Sequence, residues 1–334
     1  MDQTHDETVF SDFIMEFLSR DRFDNELITG ICDYMMEGNF VARYGHVPKT
    51  FTCEEKLKFT PETIDWELEY GQNTNLCQLY LHPLEPVKYL LQGYDINKNE
   101  EYLKLALQIL YSWQEYDKTD YVNRFPWYDH CVSDRSLYLI YFIETIKKHG
   151  VQGYEQGIEA IESLLVKQAD FLFDDKNYTT QNHGTMMDRS LYLLSRYIKH
   201  PDAEAWRNKA LKRLRESITR DFSSNMVNLE NSSSYHLFNF DLFVVIEKSL
   251  LNLFGDSMGT DFQKVINKGV DYMVHLSKPD LFFPVMGDGS KFSFSSIKNH
   301  PCYKFIDNHE EMNYVLSGGS EGKQPKDLFK LYMD

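Results

Sequence analysis

The sequence has no excess of positive charge. Its 51 acidic side chains outnumber its 35 lysines and arginines across 334 residues, which gives a formal net charge of -16 at pH 7. Nucleic acids and anionic membranes are bound through a positive field, so this balance argues against both as partners. We therefore expect no nucleic-acid partner, and any anionic ligand would have to meet local cations.

Paired cysteines and long apolar runs are also missing. The five cysteines form no CxxC pair, which disfavours a disulfide framework or a zinc knuckle and indicates reduced thiols. The sequence contains no run of 18 apolar residues that would predict a membrane-spanning helix. Its first ten residues lack the basic and apolar parts of a signal peptide. The chain as written is predicted to be cytoplasmic, or periplasmic or secreted if a signal peptide has been removed.

Strand-like alternation is nearly absent and appears only briefly around residues 281–286. Apolar residues instead recur at three- and four-residue spacing, as at Leu103, Leu107 and Leu110. Helices are predicted over 8–20, 23–37, 84–94, 99–116, 133–148, 155–173, 186–199, 202–220, 235–254 and 261–276. The predicted fold is all-α, with 10 to 12 helices in antiparallel hairpins that curl into a complete or incomplete α/α toroid.

Four histidines mark a repeat along the chain. His82, His130, His183 and His236 are separated by 48, 53 and 53 residues. Two helices and their connections need about fifty residues, so every second loop of such an array returns to the same rim. We expect residues 1–60 to form a helical extension, 61–300 the toroid, and 301–334 a tail or the start of a β domain.

Four polar and aromatic loops follow the same period, at 123–130, 179–185, 228–236 and 283–290. If they face one mouth, Trp127 would stack on a sugar ring, and the side chains of loops 179–185 and 228–236 would hydrogen-bond to it. This composition favours a carbohydrate ligand. No pair of histidines or carboxylates at helical spacing stands where a third ligand would complete a metal site, so we expect neither metal nor cofactor.

One combination of motifs resembles the heparinase II/III-like polysaccharide lyases. It consists of Asn-His-Gly at 182–184, Tyr235 in ENSSSYH, an upstream W-x-x-H loop with Arg135, and a downstream Gly-Asp loop. The resemblance runs from about Ile64 to Lys291. It implies β-elimination, without a metal, in a uronic-acid-containing glycan, with an acidic polysaccharide or oligosaccharide as partner.

The resemblance also implies roles for individual residues. Asn182 would hydrogen-bond the C5 carboxylate, and His183 would assist in its neutralisation or in proton removal. Tyr235 would protonate the leaving O4 and, in some members, also take the C5 proton. The residues expected to hold the substrate are Trp127, His130, Arg135, Glu230, His236 and Asp288. For several of them a structural alternative stays open: Trp127 as a core residue, Glu230 as a helix cap or as support for Tyr235, and Asp288 as part of a turn.

The resemblance and the charge balance together limit the class of substrate. Lyases of this kind carry a large antiparallel β domain after the toroid, which is absent from this chain up to Asp334. The candidate loops contain few cations, so a sparsely charged uronate polymer, alginate-like, heparan-like or a bacterial exopolysaccharide, is favoured over heparin. Two alternatives remain: an α/α-toroid glycoside hydrolase using Asp129, Glu230 and Asp288, and a non-catalytic glycan-binding component of polysaccharide synthesis or export.

Overall fold

The computed structural model describes residues 10, 14, 24–39, 64–67, 74–230, 232–259, 261–287, 291–306 and 308–325. Most of the predicted helix 8–20 lies outside these residues, as does the segment between residues 40 and 63. The described residues form twelve α-helices. They are α1 (Asn25–Met36), α2 (Thr74–Leu81), α3 (Glu85–Asn97), α4 (Glu100–Tyr116), α5 (Asp129–His149), α6 (Glu155–Phe173), α7 (Gln181–Tyr197), α8 (Ala203–Asp221), α9 (Ser233–Ser249), α10 (Phe262–Leu276), α11 (Tyr303–Ile306) and α12 (Glu310–Leu316).

Extended pairing is minimal. Within the described ranges, β-type pairing is limited to two isolated bridges, Phe222 with Asn228 and Phe282 with Ser293. The second bridge lies where the sequence shows its brief alternation. No helix of the described part of the chain is both long and apolar enough to cross a bilayer.

The chain divides into two compact units. Unit 1 contains the described residues up to 179 together with 186–208, and unit 2 contains 180–185 with the described residues from 209 onward. The division predicted at residues 60 and 300 stays a prediction.

In unit 1 the helices pack around α3 and α5. Helix α3 contacts α1, α4 and α5, and α5 also contacts α6. Most of α5 is buried on all sides, as expected for the nearly continuous apolar run Leu137–Ile143. Helix α5 ends at Gly150, whose φ of 63° provides the left-handed cap that a glycine adopts without steric cost.

In unit 2 the most buried helix is α9, whose apolar residues point in every direction. It continues into a π-helical turn, Leu250–Phe254, and ends at Gly255 in the left-handed region. Helix α10 crosses it so closely that a Cβ on Gly269 would overlap the ring of Phe240. Helix α10 also packs against α12.

Two helices begin at least four residues earlier than the sequence predicts. Helix α5 starts at Asp129 rather than 133, and α7 starts at Gln181 rather than 186. Thr185 and Asp188 have the Ser/Thr-x-x-Asp/Glu spacing that is typical of a helix start, but both residues are buried inside α7. The amide of Gly184 already donates to the carbonyl of Thr180, 3.4 Å away, so the helical hydrogen bonds are in place before residue 185.

Candidate functional site

Three of the four predicted loops are drawn together within unit 2. Thr180 and Gln181, at the start of α7, line a cavity of about 140 Å³ together with Leu229 and Glu230 of the turn before α9. The hydroxyl of Ser233 donates to the carbonyl of Pro284, 2.7 Å away, which fastens loop 283–287 to the start of α9. Loops 179–185, 228–236 and 283–287 are therefore connected through described contacts.

Asn182 and His183 lie in the first turn of α7, and both are half-buried. They immediately follow Gln181, whose φ of 61° is in the left-handed region although it is not a glycine. This conformation redirects the chain just before the helix. It fixes the point from which the amide and the imidazole project.

Tyr235 lies in the first turn of α9 and is half-buried. Its backbone amide donates to the hydroxyl of Ser232, the N-cap residue, 3.4 Å away. A serine that satisfies an otherwise unpaired helix-start amide is a common reason for a helix to begin at that position. Tyr235 is thus placed on a capped, ordered turn, as the predicted role requires.

Glu230 belongs to the turn that precedes α9. Its backbone amide donates to Oδ1 of Asn228 at 3.1 Å, and its side chain lines the cavity beside Gln181. The cap of α9 is Ser232, so the capping role considered for Glu230 is filled by another residue. Asp288 lies outside the described residues.

His236 is only 1% exposed. The amide of Asn228 donates to its Nδ1 at 3.3 Å, and its ring lies nearly parallel to Phe240 with the centroids 5.9 Å apart. Burial lowers the pKa of His236 to about 4, so the imidazole is neutral at pH 7. This position fits a residue that holds the 228 turn onto α9 and gives no support to direct contact with substrate.

Arg135, in unit 1, is fully buried. Its guanidinium donates to the carbonyl oxygens of His82 and Pro126, each at 2.8 Å, and stacks 4.0 Å from the ring centroid of Trp113. Burial lowers its pKa to about 10, which leaves it charged at pH 7. Arg135 braces the two loops that flank it, and its predicted role in substrate binding gains no support from this position.

Trp127 is half-buried in a short 3-10 turn before α5. Its indole N–H donates to Oδ1 of Asp117 at 2.7 Å, and its ring centroid lies 5.6 Å from that of Phe171. One edge of the indole is therefore fixed by a carboxylate. Its role in sugar stacking stays a prediction.

His130 lies in the first turn of α5 and is partly exposed. Its Nε2 is 3.2 Å from Oδ2 of Asp134, and the other oxygen of Asp134 accepts from Arg189 at 2.9 Å. Burial works against ionisation, but the hydrogen bonds from His130 and Arg189 hold the pKa of Asp134 well below its usual range. Asp134 is therefore the ionised centre of a small network with His130 at its edge.

The hydrolase candidate Asp129 and a second aspartate, Asp188, have structural partners within unit 1. Asp129 accepts from the hydroxyl of Thr179 at 2.8 Å, and Asp188 accepts from the hydroxyl of Tyr178 at 2.9 Å. These two bonds anchor residues 178 and 179, which directly precede the second predicted loop. Asp129 thus has a structural role at the start of α5, and Asp188 has one from inside α7.

His82 is buried, and the indole N–H of Trp113 donates to its Nδ1 at 3.2 Å. Burial, together with the nearby charge of Arg135, lowers the pKa of His82 to about 3. His82 is therefore a neutral core residue. The first of the four evenly spaced histidines marks the packing of unit 1, not a reactive group.

The walls of the cavity in unit 2 are not predictable from the sequence. Thr180, Gln181, Arg220, Asp221 and Asn228 line it, and none of them was a candidate. The end of α8 carries no motif, and a left-handed glutamine leaves no trace in sequence. Among the described residues, no group of three or more His, Cys, Asp or Glu is arranged to hold a metal ion.

Comparison with known proteins places these observations in a family. The model for the family described as heparinase II/III N-terminus matches residues 25–314. The sequence matches none of the curated proteins with which it was compared.

Solved structures share the fold. The crystal structure of a heparinase III matches with a TM-score of 0.72 at 19% identity, covering 92% of this chain and 50% of that one. Heparan sulfate lyase HepC from Pedobacter heparinus matches with a TM-score of 0.65 at 18% identity, covering 92% of this chain and 49% of that one. This chain therefore spans about half the length of these structures. The predicted all-α, toroid-type fold class is confirmed.

Proposed function

The chain belongs to the heparinase II/III N-terminus family, and from that premise we propose that it is the helical part of a polysaccharide lyase. The proposed reaction is β-elimination in a uronic-acid-containing glycan, without a metal ion. The observation that carries the proposal is the cavity in unit 2 that is lined both by the start of α7 and by the turn that leads into the first turn of α9. These are the two segments that carry Asn182, His183 and Tyr235.

The proposed chemistry follows from the residue types. The amide of Asn182 donates to the C5 carboxylate of the uronate, which makes the C5 proton more acidic and stabilises the enolate-like charge that develops. The imidazole of His183 accepts that proton, and the C4–O4 bond breaks as the C4–C5 double bond forms. The phenol of Tyr235 protonates the leaving O4. Hydrogen bonds to the backbone fix both helix starts, which supports an arrangement in which the segments that carry the three side chains are ordered before substrate binds.

The glycoside hydrolase alternative needs two available carboxylates in the cleft. Asp129, one of its three candidates, accepts from the Thr179 hydroxyl at 2.8 Å and from its neighbouring His130 amide at 2.5 Å. These bonds commit both of its oxygens to holding local structure. The lyase is therefore favoured over the hydrolase.

The proposal is tested by incubating the chain with heparan sulfate, hyaluronan and alginate and following the ultraviolet absorbance of an unsaturated uronate. The expected result is turnover of at least one polymer, reduced about 10²- to 10⁴-fold in Tyr235→Phe because the proton donor is lost. Tyr303→Phe, elsewhere in unit 2, is the matched control and should keep full activity.

Two results would contradict the lyase. New reducing ends without a double bond would indicate hydrolysis. Oligosaccharide binding without any cleavage, unaffected by Tyr235→Phe, would instead support the non-catalytic glycan-binding alternative.

A further inference from the structure

The imidazole of His236 is enclosed within unit 2. His236 directly follows Tyr235 in the first turn of α9 and is 1% exposed. Its ring lies among three aromatic rings, with centroid distances of 5.9 Å to Phe240, 4.6 Å to Tyr272 and 6.4 Å to Phe222. Burial lowers its pKa to about 4, so the ring is neutral at pH 7. What an enclosed, neutral imidazole does depends on which of its two nitrogens carries the proton.

The hydrogen bond at Nδ1 decides the tautomer. The backbone nitrogen of Asn228 lies 3.3 Å from Nδ1 of His236. A backbone N–H can only donate, so Nδ1 must accept, and the single proton of the neutral ring is on Nε2. Nε2 completes no hydrogen bond with a described residue, although the backbone of Gly269 lies close enough to favour a protonated ring. The imidazole of His236 therefore acts through Nδ1.

Asn228 extends this hydrogen bond into the turn before α9. Its Oδ1 accepts from the backbone amide of Glu230 at 3.1 Å, and its Nδ2 donates to the carbonyl of Asp221 at 3.3 Å. All three residues line the cavity that the start of α7 also lines. A chain of hydrogen bonds thus runs from the ring of His236 to the segment that shares a cavity with the start of α7.

We propose that His236 is a positioning residue for the reaction at Tyr235. By accepting at Nδ1, it holds the first turn of α9 on turn 228–230, and so fixes the distance from the phenol to the start of α7. The proposal rests on the proposed function, since Asn182 and His183 at that start act on the uronate. A displacement of about 1 Å in an active site can lower a rate by about 10²-fold. Loss of the Nδ1 hydrogen bond should therefore lower kcat and change KM little.

Nitrogen NMR of the wild-type chain tests the tautomer without any substrate. In protein with isotopically labelled histidine, His236 should show an unprotonated Nδ1 and a protonated Nε2, unchanged between pH 8 and pH 6. Its signals are assigned from the neighbouring backbone resonances. His275 provides the contrast, because its Nδ1 lies 2.6 Å from the carbonyl oxygen of Asp271 and must carry a proton. A proton on Nδ1 of His236, or titration near the ordinary pKa of 6.5, overturns the proposal.

Asparagine and glutamine at position 236 separate the roles of the two nitrogens. The amide oxygen of asparagine can replace Nδ1, whereas that of the longer glutamine reaches the position of Nε2, where no hydrogen bond is completed. Both exchanges remove the same ring, so the loss of aromatic packing is matched. The amide hydrogen of Asn228 should therefore exchange with solvent about tenfold or more faster in His236→Gln than in His236→Asn. Equal exchange in the two variants overturns the proposal.

The same pair of variants tests positioning in the reaction itself. His236→Asn should keep kcat within about threefold of the wild type, whereas His236→Gln should lose about 10- to 100-fold, with KM within about threefold in both. His275→Gln, at a half-buried position of α10, is the matched control and should keep both constants. An equal loss of kcat in both variants would show that the ring serves packing alone. That result, or an unchanged kcat in both, overturns the proposal.

The outcomes separate this proposal from the lyase proposal. The tautomer of His236 and the exchange of the Asn228 amide are measured without substrate, so they report on the Nδ1 hydrogen bond even if no polymer is cleaved. Failure to form a double bond with any polymer would count against the lyase. Conversely, a chain that cleaves a polymer but shows the other tautomer, or no contrast between the two variants, would be a lyase in which His236 has no positioning role.

Discussion

At the scale of single residues, the even spacing of the histidines reflects architecture more than chemistry. His82 and His236 are buried and neutral, whereas His130 and His183 are half-buried at helix starts. The sequence predicts the spacing, because it follows from hairpin length. It does not predict which imidazole is buried, because burial depends on neighbours distant in sequence. One example is Tyr272, whose ring centroid lies 4.6 Å from that of His236.

The buried histidines predict acid sensitivity. The pKa of His236 falls from 6.5 in the unfolded chain to about 4 in the folded one, so below pH 6.5 the unfolded state binds a proton that the folded state refuses. The free energy of unfolding therefore has its full value above pH 6.5. It declines as the pH falls toward 4, by about 3 kcal/mol for His236 alone.

This is checked by urea unfolding between pH 8 and pH 5. His236→Gln should lower stability at pH 8 but give a flatter pH dependence below 6.5. His200→Gln, at a more exposed position, is the control and should retain the wild-type slope. A His236→Gln protein with an unchanged slope would contradict the account.

At the scale of elements, most helices are predictable because their apolar periodicity and breakers agree. The predictions for 99–116 and 155–173 match α4 and α6 within a residue at each end. The errors concentrate at α5 and α7, where polar residues that look like loop occupy a first helical turn. Their hydrogen bonds are made with side chains distant in sequence, as between Asp129 and Thr179, and local pattern does not reveal them.

Helix crossing predicts opposite effects for two glycines. Gly269→Ala would force a Cβ into the ring of Phe240, where α10 meets α9, and should destabilise the protein by about 1–3 kcal/mol through overpacking. Gly30→Ala lies on the exposed side of α1 with nothing within 4 Å, and should stabilise it by up to about 1 kcal/mol.

The free energy of unfolding in urea distinguishes the two variants. Both changes add the same methyl group inside a helix, so helix propensity cancels between them and the difference reports the crossing. Equal effects would mean that the α9 and α10 contact relaxes freely.

At the scale of the whole molecule, the formal charge of -16 repels any acidic glycan as it approaches the protein. The sequence predicts Asn182, His183 and Tyr235 as site residues because a family motif marks them, and their roles stay a prediction. The cavity beside them could not be predicted, since its walls come from the end of α8 and the turn before α9, which only the fold brings together.

The negative charge predicts that the affinity for an acidic polysaccharide rises as salt is added. Raising the ionic strength from about 0.01 to 0.15 M shortens the range of repulsion from roughly 30 to 8 Å. Binding of an acidic polysaccharide should therefore strengthen, by about two- to fivefold, where a basic protein would lose affinity.

Titrations with the same hexasaccharide at both salt concentrations measure this effect. A variant with glutamine at the exposed positions Glu155, Glu159 and Glu162 of α6 should show a smaller increase. Affinity that drops with salt would mean that local cations outweigh the acidic body.

The left-handed glutamine at the start of α7 has a consequence for engineering. A laboratory screen that ranks variants by heat resistance alone would favour glycine at position 181, since that exchange relaxes the backbone. Because Gln181 directly precedes Asn182 and His183, the variants that such a screen selects would be heat-resistant proteins with an altered site. Selection for hardiness and selection for turnover would then pull this one position in opposite directions.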